Sequence, residues 1–163
     1  MTESTWFGGD FQDPPRSDGG VALCGACHRT GQCRLGLSAE RLGDDGVATF
    51  ELACPSGHEG GPGVAHGGWT ASVLDEALGH VGPLNGQMTV TGTLTVRYER
   101  PVPIERPLLA RAWIDGREPR KWRIAGELVL ASSGAPLARA EGIFVLRRRE
   151  AHFAEFARWL AEQ

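Results

Sequence analysis

Val64-Ala65-His66-Gly67-Gly68-Trp69-Thr70-Ala71-Ser72-Val73-Leu74-Asp75-Glu76-Ala77-Leu78-Gly79-His80 is the stretch that decides the fold. Its apolar residues fall on nearly every side of a 3.6-residue period, which predicts one long helix buried at the centre of a domain. Pro62 and Gly63 punctuate the chain before it, Gly67-Gly68 let backbone approach closely at its start, and Gly79 with Gly82-Pro83 supplies the expected stop. Asp75 and Glu76 sit in its middle, and adjacent carboxylates inside an apolar helix need a reason. Residues at i, i+3, i+4 and i+7 share a face, so Asp75 lies with Gly68, Ser72 and Gly79, where small side chains leave room for an approaching group. Glu76 lies instead with Trp69, Val73 and His80, at the spacing of an i,i+4 ion pair when the histidine is protonated. The plainer alternative makes both acids solvated helix-surface residues.

Downstream the period changes from helix to strand. From Met88 to Val102 the even positions Met88, Val90, Gly92, Leu94, Val96 and Tyr98 are mostly apolar and the odd ones polar, the pattern of a long half-buried strand. Pro101-Val102-Pro103 ends it, and strands are expected over Pro107 to Asp115, Lys121 to Ala131 and Pro136 to Arg147. The short turns between these last three make neighbours antiparallel. Upstream, Leu35 to Arg41 and Val47 to Cys54 flank Gly43-Asp44-Asp45-Gly46 as a hairpin. The glycine-rich loop Pro55 to Gly63, with His58 and Glu59, then feeds the helix, and such loops often handle ligands. The order hairpin, helix, four antiparallel strands gives an α+β fold in which a strongly twisted antiparallel sheet wraps one long central helix.

The 163 residues, 41% of them hydrophobic, suit one domain with a real core. Residues 1–22 carry Gly8-Gly9, Pro14-Pro15 and Gly19-Gly20 without periodicity and form a loosely ordered lead-in, with Trp6, Phe7 and Phe11 able to dock it. Residues 23–149 form the central domain. Residues 150–163 form a C-terminal amphipathic helix with Phe153, Phe156, Ala157 and Leu160 on one stripe. The net charge of −3 argues against nucleic-acid binding, although arginines cluster at Arg147-Arg148-Arg149. The chain shows neither a membrane-length apolar run nor a basic n-region with an apolar h-region at Met1-Thr2-Glu3-Ser4, so it is expected to be cytoplasmic, with no membrane partner.

Cys24-Gly25-Ala26-Cys27-His28 has the spacing of c-type haem attachment, and Cys24, Cys27, His28 and Cys33 could also be drawn as a zinc site. Haem attachment requires export and a second axial ligand, for which Met88 is the sole internal methionine. A zinc set squeezed into ten positions lacks the usual mirrored C-x-x-C. Reduced thiols in a turn before the first strand is the reading adopted, with no metal and no cofactor.

His66-Gly67-Gly68, Asp75 nine positions beyond the histidine, and Thr91-Gly92-Thr93-Leu94-Thr95-Val96-Arg97-Tyr98 running into Arg100-Pro101-Val102-Pro103 together resemble the hotdog-fold acyl-CoA thioesterases of the phenylacetate-degradation type. The resemblance extends over most of residues 24–147, including Cys24-x-x-Cys27 followed by Gly36-Leu37. It implies hydrolysis of an acyl-CoA thioester with Asp75 as nucleophile or general base, the Gly67 N–H as oxyanion donor, and Thr91 holding water or the carboxylate. His66 joins this catalytic set either by fixing the glycine turn, which its place favours, or as a general base. Chemistry agrees: an N–H at a helix start has no partner within the helix and sits at the positive end of the dipole.

Where some relatives carry an asparagine before the motif, residues 59–63 here read Glu-Gly-Gly-Pro-Gly, leaving either His58 or no residue as the substitute donor. Gly68, His58, Arg97 and Arg100 are the expected substrate contacts, with Arg106 and Arg147 to Arg149 as further choices for coenzyme A phosphates. Trp69, Leu74 and Met88 are candidate linings of the acyl pocket, or simply core. Gly67 and Asp75 are eight positions apart, about 12 Å along one helix at ~1.5 Å per residue, too far to grip one carbonyl. A shared site, and hence a homodimer or a homotetramer built as a dimer of dimers, follows if both act on one thioester. Two rivals are a hydratase or dehydratase pairing His58 with Asp75 or Glu76, and a non-catalytic acyl-CoA binding module.

Overall fold

A computed structural model describes residues 15–163; the rest of the lead-in, with Trp6, Phe7 and Phe11, lies outside the described residues. A single helical turn, α1 (Gly25–His28), precedes the expected hairpin of β1 (Leu37–Leu42) and β2 (Ala48–Leu52). Its turn closes with Gly46 at φ +79° and the Asp45 carboxylate accepting from the Val47 amide at 3.0 Å. A small ribbon, β3 (Glu59–Gly61) and β4 (Val64–Ala65), leads into α2 (Gly67–Leu84). Then come β5 (Thr89–Tyr98), β6 (Leu108–Arg117), β7 (Lys121–Leu130), β8 (Pro136–Leu146) and α3 (Arg149–Ala161). Six antiparallel strands run β1-β2-β6-β7-β8-β5 across one sheet, which packs against α2.

Both ends of the central helix differ from the sequence expectation. Val64 and Ala65 are extended, because the Ala65 amide donates to the Val102 carbonyl at 2.8 Å and Val64 bridges Pro103. The Pro101–Pro103 segment thus clamps the chain just before the helix starts. At the other end the helix runs through Gly82-Pro83 to Leu84, with Asn85 and then Gly86 (φ +71°) finishing it. Pro83 gives up the bond to the Gly79 carbonyl and crowds that carbonyl with its ring, one residue before the helix ends.

One stripe of α2, Trp69, Thr70, Val73, Leu74, Ala77, Leu78 and Val81, is buried against the sheet. Small residues receive it: Ala48, Ala110, Ala112, Ala138 and Ala140 are all buried, and a Cβ at Gly126 would lie 2.6 Å from the Leu78 side chain. Trp69 is anchored by its indole N–H to the Leu35 carbonyl at 3.1 Å. The opposite stripe of α2, with Gly68, Ser72, Asp75 and Gly79, is not covered by the sheet, so the helix is not buried all round.

The alternation along β5 holds only from Leu94 onward. Thr91 pairs with Phe144 and Thr93 with Ile143, so Gly92 is an extra residue in the ladder. The bulge switches the inward parity: Thr89 and Thr91 face the helix before it, and Leu94, Val96 and Tyr98 after it. β5 is also a sheet edge paired only with β8, and none of its residues is fully buried in the chain.

The described part of the lead-in is folded. Arg16 bridges Ala22, the Leu23 amide donates to the Pro15 carbonyl at 2.8 Å, and Val21 is fully buried. At the other terminus, Phe153 is half-buried whereas Phe156, Trp159 and Leu160 on α3 are more than half exposed. Among the described residues no helix is long and apolar enough to cross a membrane.

Thr89 Oγ1, wedged against Gly82, is buried without a hydrogen-bond partner among the described residues. Thr89→Val keeps the shape and removes the unmet hydroxyl, so it is expected to raise unfolding stability by about 1 kcal/mol in denaturant titration. A loss of stability would mean that the hydroxyl is satisfied.

Candidate active site

The helix start is organised by His66. Its backbone is extended (φ −61°, ψ 138°) and its Nδ1 accepts from the Gly68 amide at 2.9 Å, an N-cap made by an imidazole. The His66 amide in turn donates to the His58 carbonyl at 2.8 Å, so His58 meets this cap through its backbone. Because the ring engages Gly68, the N–H of Gly67 remains at the first helical position, ahead of the intrahelical ladder and exposed at the positive end of the dipole. Tyr98, to which sequence reasoning gave no role, steadies this corner: its hydroxyl donates to the Gly67 carbonyl at 3.0 Å.

Two turns along the helix lies Asp75, half-buried on the uncovered stripe. Thr91 Oγ1 donates to Asp75 Oδ1 at 2.8 Å, a contact that exists because the Gly92 bulge turns Thr91 toward the helix. Ser72, on the same stripe, spends its hydroxyl on the Gly68 carbonyl at 2.8 Å. Asp75 and Thr91 border an open cavity of about 280 Å³, lined also by Leu23, Gly79, Pro83, Met88 and Phe153 among others. Of the candidate acyl linings, Met88 reaches this cavity; Trp69 and Leu74 are core.

Glu76 pairs with His80 at 3.2 Å as expected, but His80 has a second and shorter partner, Glu40 on β1, at 2.6 Å. Glu40 also receives Arg16 at 3.2 Å and the Ala22 amide at 3.2 Å. Its side chain is 1% exposed and that of His80 13%. Burial alone would push the His80 pKa down, yet hydrogen bonds to Glu40 and Glu76, and their charges, draw it up to about 9. Burial likewise opposes ionisation of Glu40, but the His80 hydrogen bond and charge prevail, with Ala22 and Arg16 adding, and hold it below the usual carboxylate value. Sequence spacing could not find Glu40, which lies forty positions away.

The remaining expected contacts are dispersed. Arg97 points to the sheet face opposite the helix, 4.0 Å from Glu141, and Arg100 donates to the Pro136 carbonyl at 2.6 Å. Cys24, Cys27, Cys33 and Cys54 are free thiols. Burial pushes Cys27 up to about 11, although its sulfur accepts the Arg34 amide at 3.2 Å. Among the described residues no three His, Cys, Asp or Glu side chains converge as a metal site.

Against this geometry, a family model described as the thioesterase superfamily matches residues 62–133, from the helix entry to the end of β7. Acyl-coenzyme A thioesterase THEM4 of Bos taurus is 29% identical over 87 residues, 53% of this chain and 35% of that protein. A crystal structure described as a thioesterase superfamily protein is 31% identical, with a TM-score of 0.61 over 65% of this chain and 54% of that one. Similar in fold are the E. coli PaaI protein from the phenylacetic acid degradation operon (20% identity, TM-score 0.59, 63% of this chain and 74% of that one) and a hypothetical thioesterase from Streptococcus pneumoniae with coenzyme A (16%, 0.61, 66% and 84%). The match thus spans about a third of the curated relative's length and about half of the first structure's.

The His80 cluster carries a pH signature. A raised histidine pKa stabilises fully below about 6.5 and ceases to do so as pH climbs through about 9; the lowered Glu40 stabilises above 4.5 and less as pH falls beneath it. The melting-temperature advantage of the native chain over His80→Gln is therefore expected to be largest between about pH 4.5 and 6.5 and to shrink toward pH 9 and beyond. An advantage unchanged across that range would show that His80 is not the titrating partner.

Proposed function

With residues 62–133 matching the thioesterase superfamily and the fold shared with thioesterase structures, we propose that the chain is a hotdog-fold thioesterase that hydrolyses an acyl-CoA thioester to the free acid and coenzyme A, at a site shared by two copies of the chain. The observation that carries this reading is the carboxylate of Asp75 held by Thr91 at the edge of a cavity. Asp75 either attacks the thioester carbon to form an acyl-enzyme anhydride that water opens, or takes a proton from the attacking water. In both routes the carbon–sulfur bond breaks and coenzyme A leaves as a thiolate that takes up a proton, from Asp75 in the base route and from solvent in the anhydride route. The Gly67 N–H of the partner copy receives the developing oxyanion, with His66 holding the turn that aims it. His58 and Gly68 flank that donor and contact the thioester end, whereas Arg97 could reach coenzyme A only from another copy or another face.

Further support comes from the Streptococcus pneumoniae thioesterase, whose crystal forms include an Asp→Ala and a Thr→Ala variant sixteen positions apart in its own chain. Asp75 and Thr91 stand at that interval here. The shared site rests on the rise of a helix: eight positions separate Gly67 from Asp75, about 12 Å at ~1.5 Å each. The free edge of β5 and the uncovered stripe of α2 are the surfaces available to a homodimer or a dimer of dimers.

Asp75→Asn is expected to lower thiol release from acyl-CoA by roughly 10²–10⁴-fold. Gly67→Pro is the cleaner test of the oxyanion donor. Proline suits the first helical position, His66 already has the extended backbone that must precede it, and only the N–H is lost; the expected cost is roughly 10²–10³-fold in kcat. Co-refolding the two dead variants in equal amounts should restore about a quarter of native activity, because half of the dimers are mixed and each mixed dimer has one intact site. No recovery, or a fully active monomer in sedimentation, would defeat the shared site.

A further inference from the structure

The cavity behind Asp75 has walls from three separated parts of the chain: Leu23 from the segment before β1, Gly79 and Pro83 from α2, and Phe153 from α3, with Met88 just ahead of β5. Glu76, His80 and Arg149 also border it. Resting on the acyl-CoA reading above, we infer that this cavity is the chamber for the acyl group, that it takes a compact apolar chain, and that Gly79 and Phe153 set its depth.

Gly79 is the telling residue. Glycine weakens a helix interior relative to alanine, so it needs a reason there. Elsewhere in the fold close packing provides one: a side chain at Gly82 would collide with Thr89, and one at Gly126 with Leu78. At Gly79 nothing forbids a side chain, since a Cβ would meet only Phe144 Cε1, at 4.0 Å. What such a side chain would occupy is the cavity, one helical turn beyond Asp75 on the same stripe. The absent side chain therefore leaves space for a ligand. An acyl group whose thioester carbon stands at Asp75 extends along this stripe toward Pro83, with Leu23, Met88 and Phe153 around it. At about 280 Å³ the chamber falls at the low edge of ligand pockets, roughly 300–1,000 Å³, which favours a medium straight chain over a long one.

The test is kcat/KM for thiol release from straight-chain acyl-CoAs, acetyl to myristoyl. In the native protein each methylene inside the chamber is expected to raise kcat/KM about four-fold, until the chamber is full and the rise stops. Gly79→Leu should bring that break at least two carbons earlier and lower the decanoyl-to-acetyl ratio ten-fold or more, whereas Phe153→Ala should move it later. Gly79→Ala should shift it slightly in the same direction as leucine while melting no lower than the native chain, which separates lost space from lost fold. A break unmoved in all three variants, or a fall equal at every chain length, overturns the chamber while leaving hydrolysis intact. If the native protein releases thiol from no acyl-CoA, the hydrolase reading fails instead. Calorimetric titration with decanoic acid then decides the chamber: binding at least ten-fold weaker in Gly79→Leu supports it, and equal or absent binding in both proteins refutes it.

Discussion

Close contact between α2 and the sheet is possible because several strand positions beneath the helix are small. Alanines on β2, β6 and β8 and the glycine at 126 leave a trough in which Leu78, Leu74 and Val73 lie fully buried. Burial of this stripe fixes the rotation of the helix about its axis, since turning it would expose the leucines and drive Asp75 into alanine-lined core. With the rotation fixed, the stripe of Gly68, Ser72, Asp75 and Gly79 lies outside the buried face, where Thr91 on the edge strand β5 meets Asp75. The proposed chemistry is placed by apolar packing along the flank of the same helix.

A helix is also a rigid spacer. Its start presents the Gly67 N–H and its middle presents Asp75, and no side-chain motion brings a backbone N–H two turns down its own axis. What the fold can adjust is the strand opposite. The bulge at Gly92 changes which residues of β5 look inward, and Thr91 reaches Asp75 by that change alone. Beyond the bulge Tyr98 faces the same way and steadies the Gly67 peptide. One extra residue in a ladder thus supports both ends of the candidate site.

The third constraint is a buried charge. His80, Glu40, Glu76 and Arg16 form a connected set, and the Ala22 amide joins it through Glu40. Breaking one member of a buried pair strands the other, so the set ties the segment before β1 to the helix. Ala22 and Leu23 in that segment form a wall of the cavity beside Asp75. The ion cluster and the cavity therefore share a support, which relates the order of the wall to the protonation of His80.

Much of this is written in local pattern. The hairpin around Gly43–Gly46, the three C-terminal strands and the existence of the long helix follow from period and turn chemistry, which neighbours in sequence suffice to specify. So do the different faces of the helix on which Asp75 and Glu76 lie, because 3.6 residues per turn decides which neighbours they share. The helix limits depart from local pattern where distant backbone intervenes: Val102 holds Ala65 in an extended ribbon, and the helix runs on through Pro83. Strict alternation along β5 would send Thr91 outward, and only the pairing with β8 reveals the extra residue that reverses it. Glu40, Leu23 and Phe153 carry no sequence signal for the site, since their meeting with α2 depends on how the sheet and the two chain ends fold over it. The sequence by itself determined the elements and the spacing of the acids along one helix; tertiary structure decided that Thr91 turns toward Asp75 and that Glu40 reaches His80, because contacts across sixteen and forty positions depend on strand register and packing rather than on period.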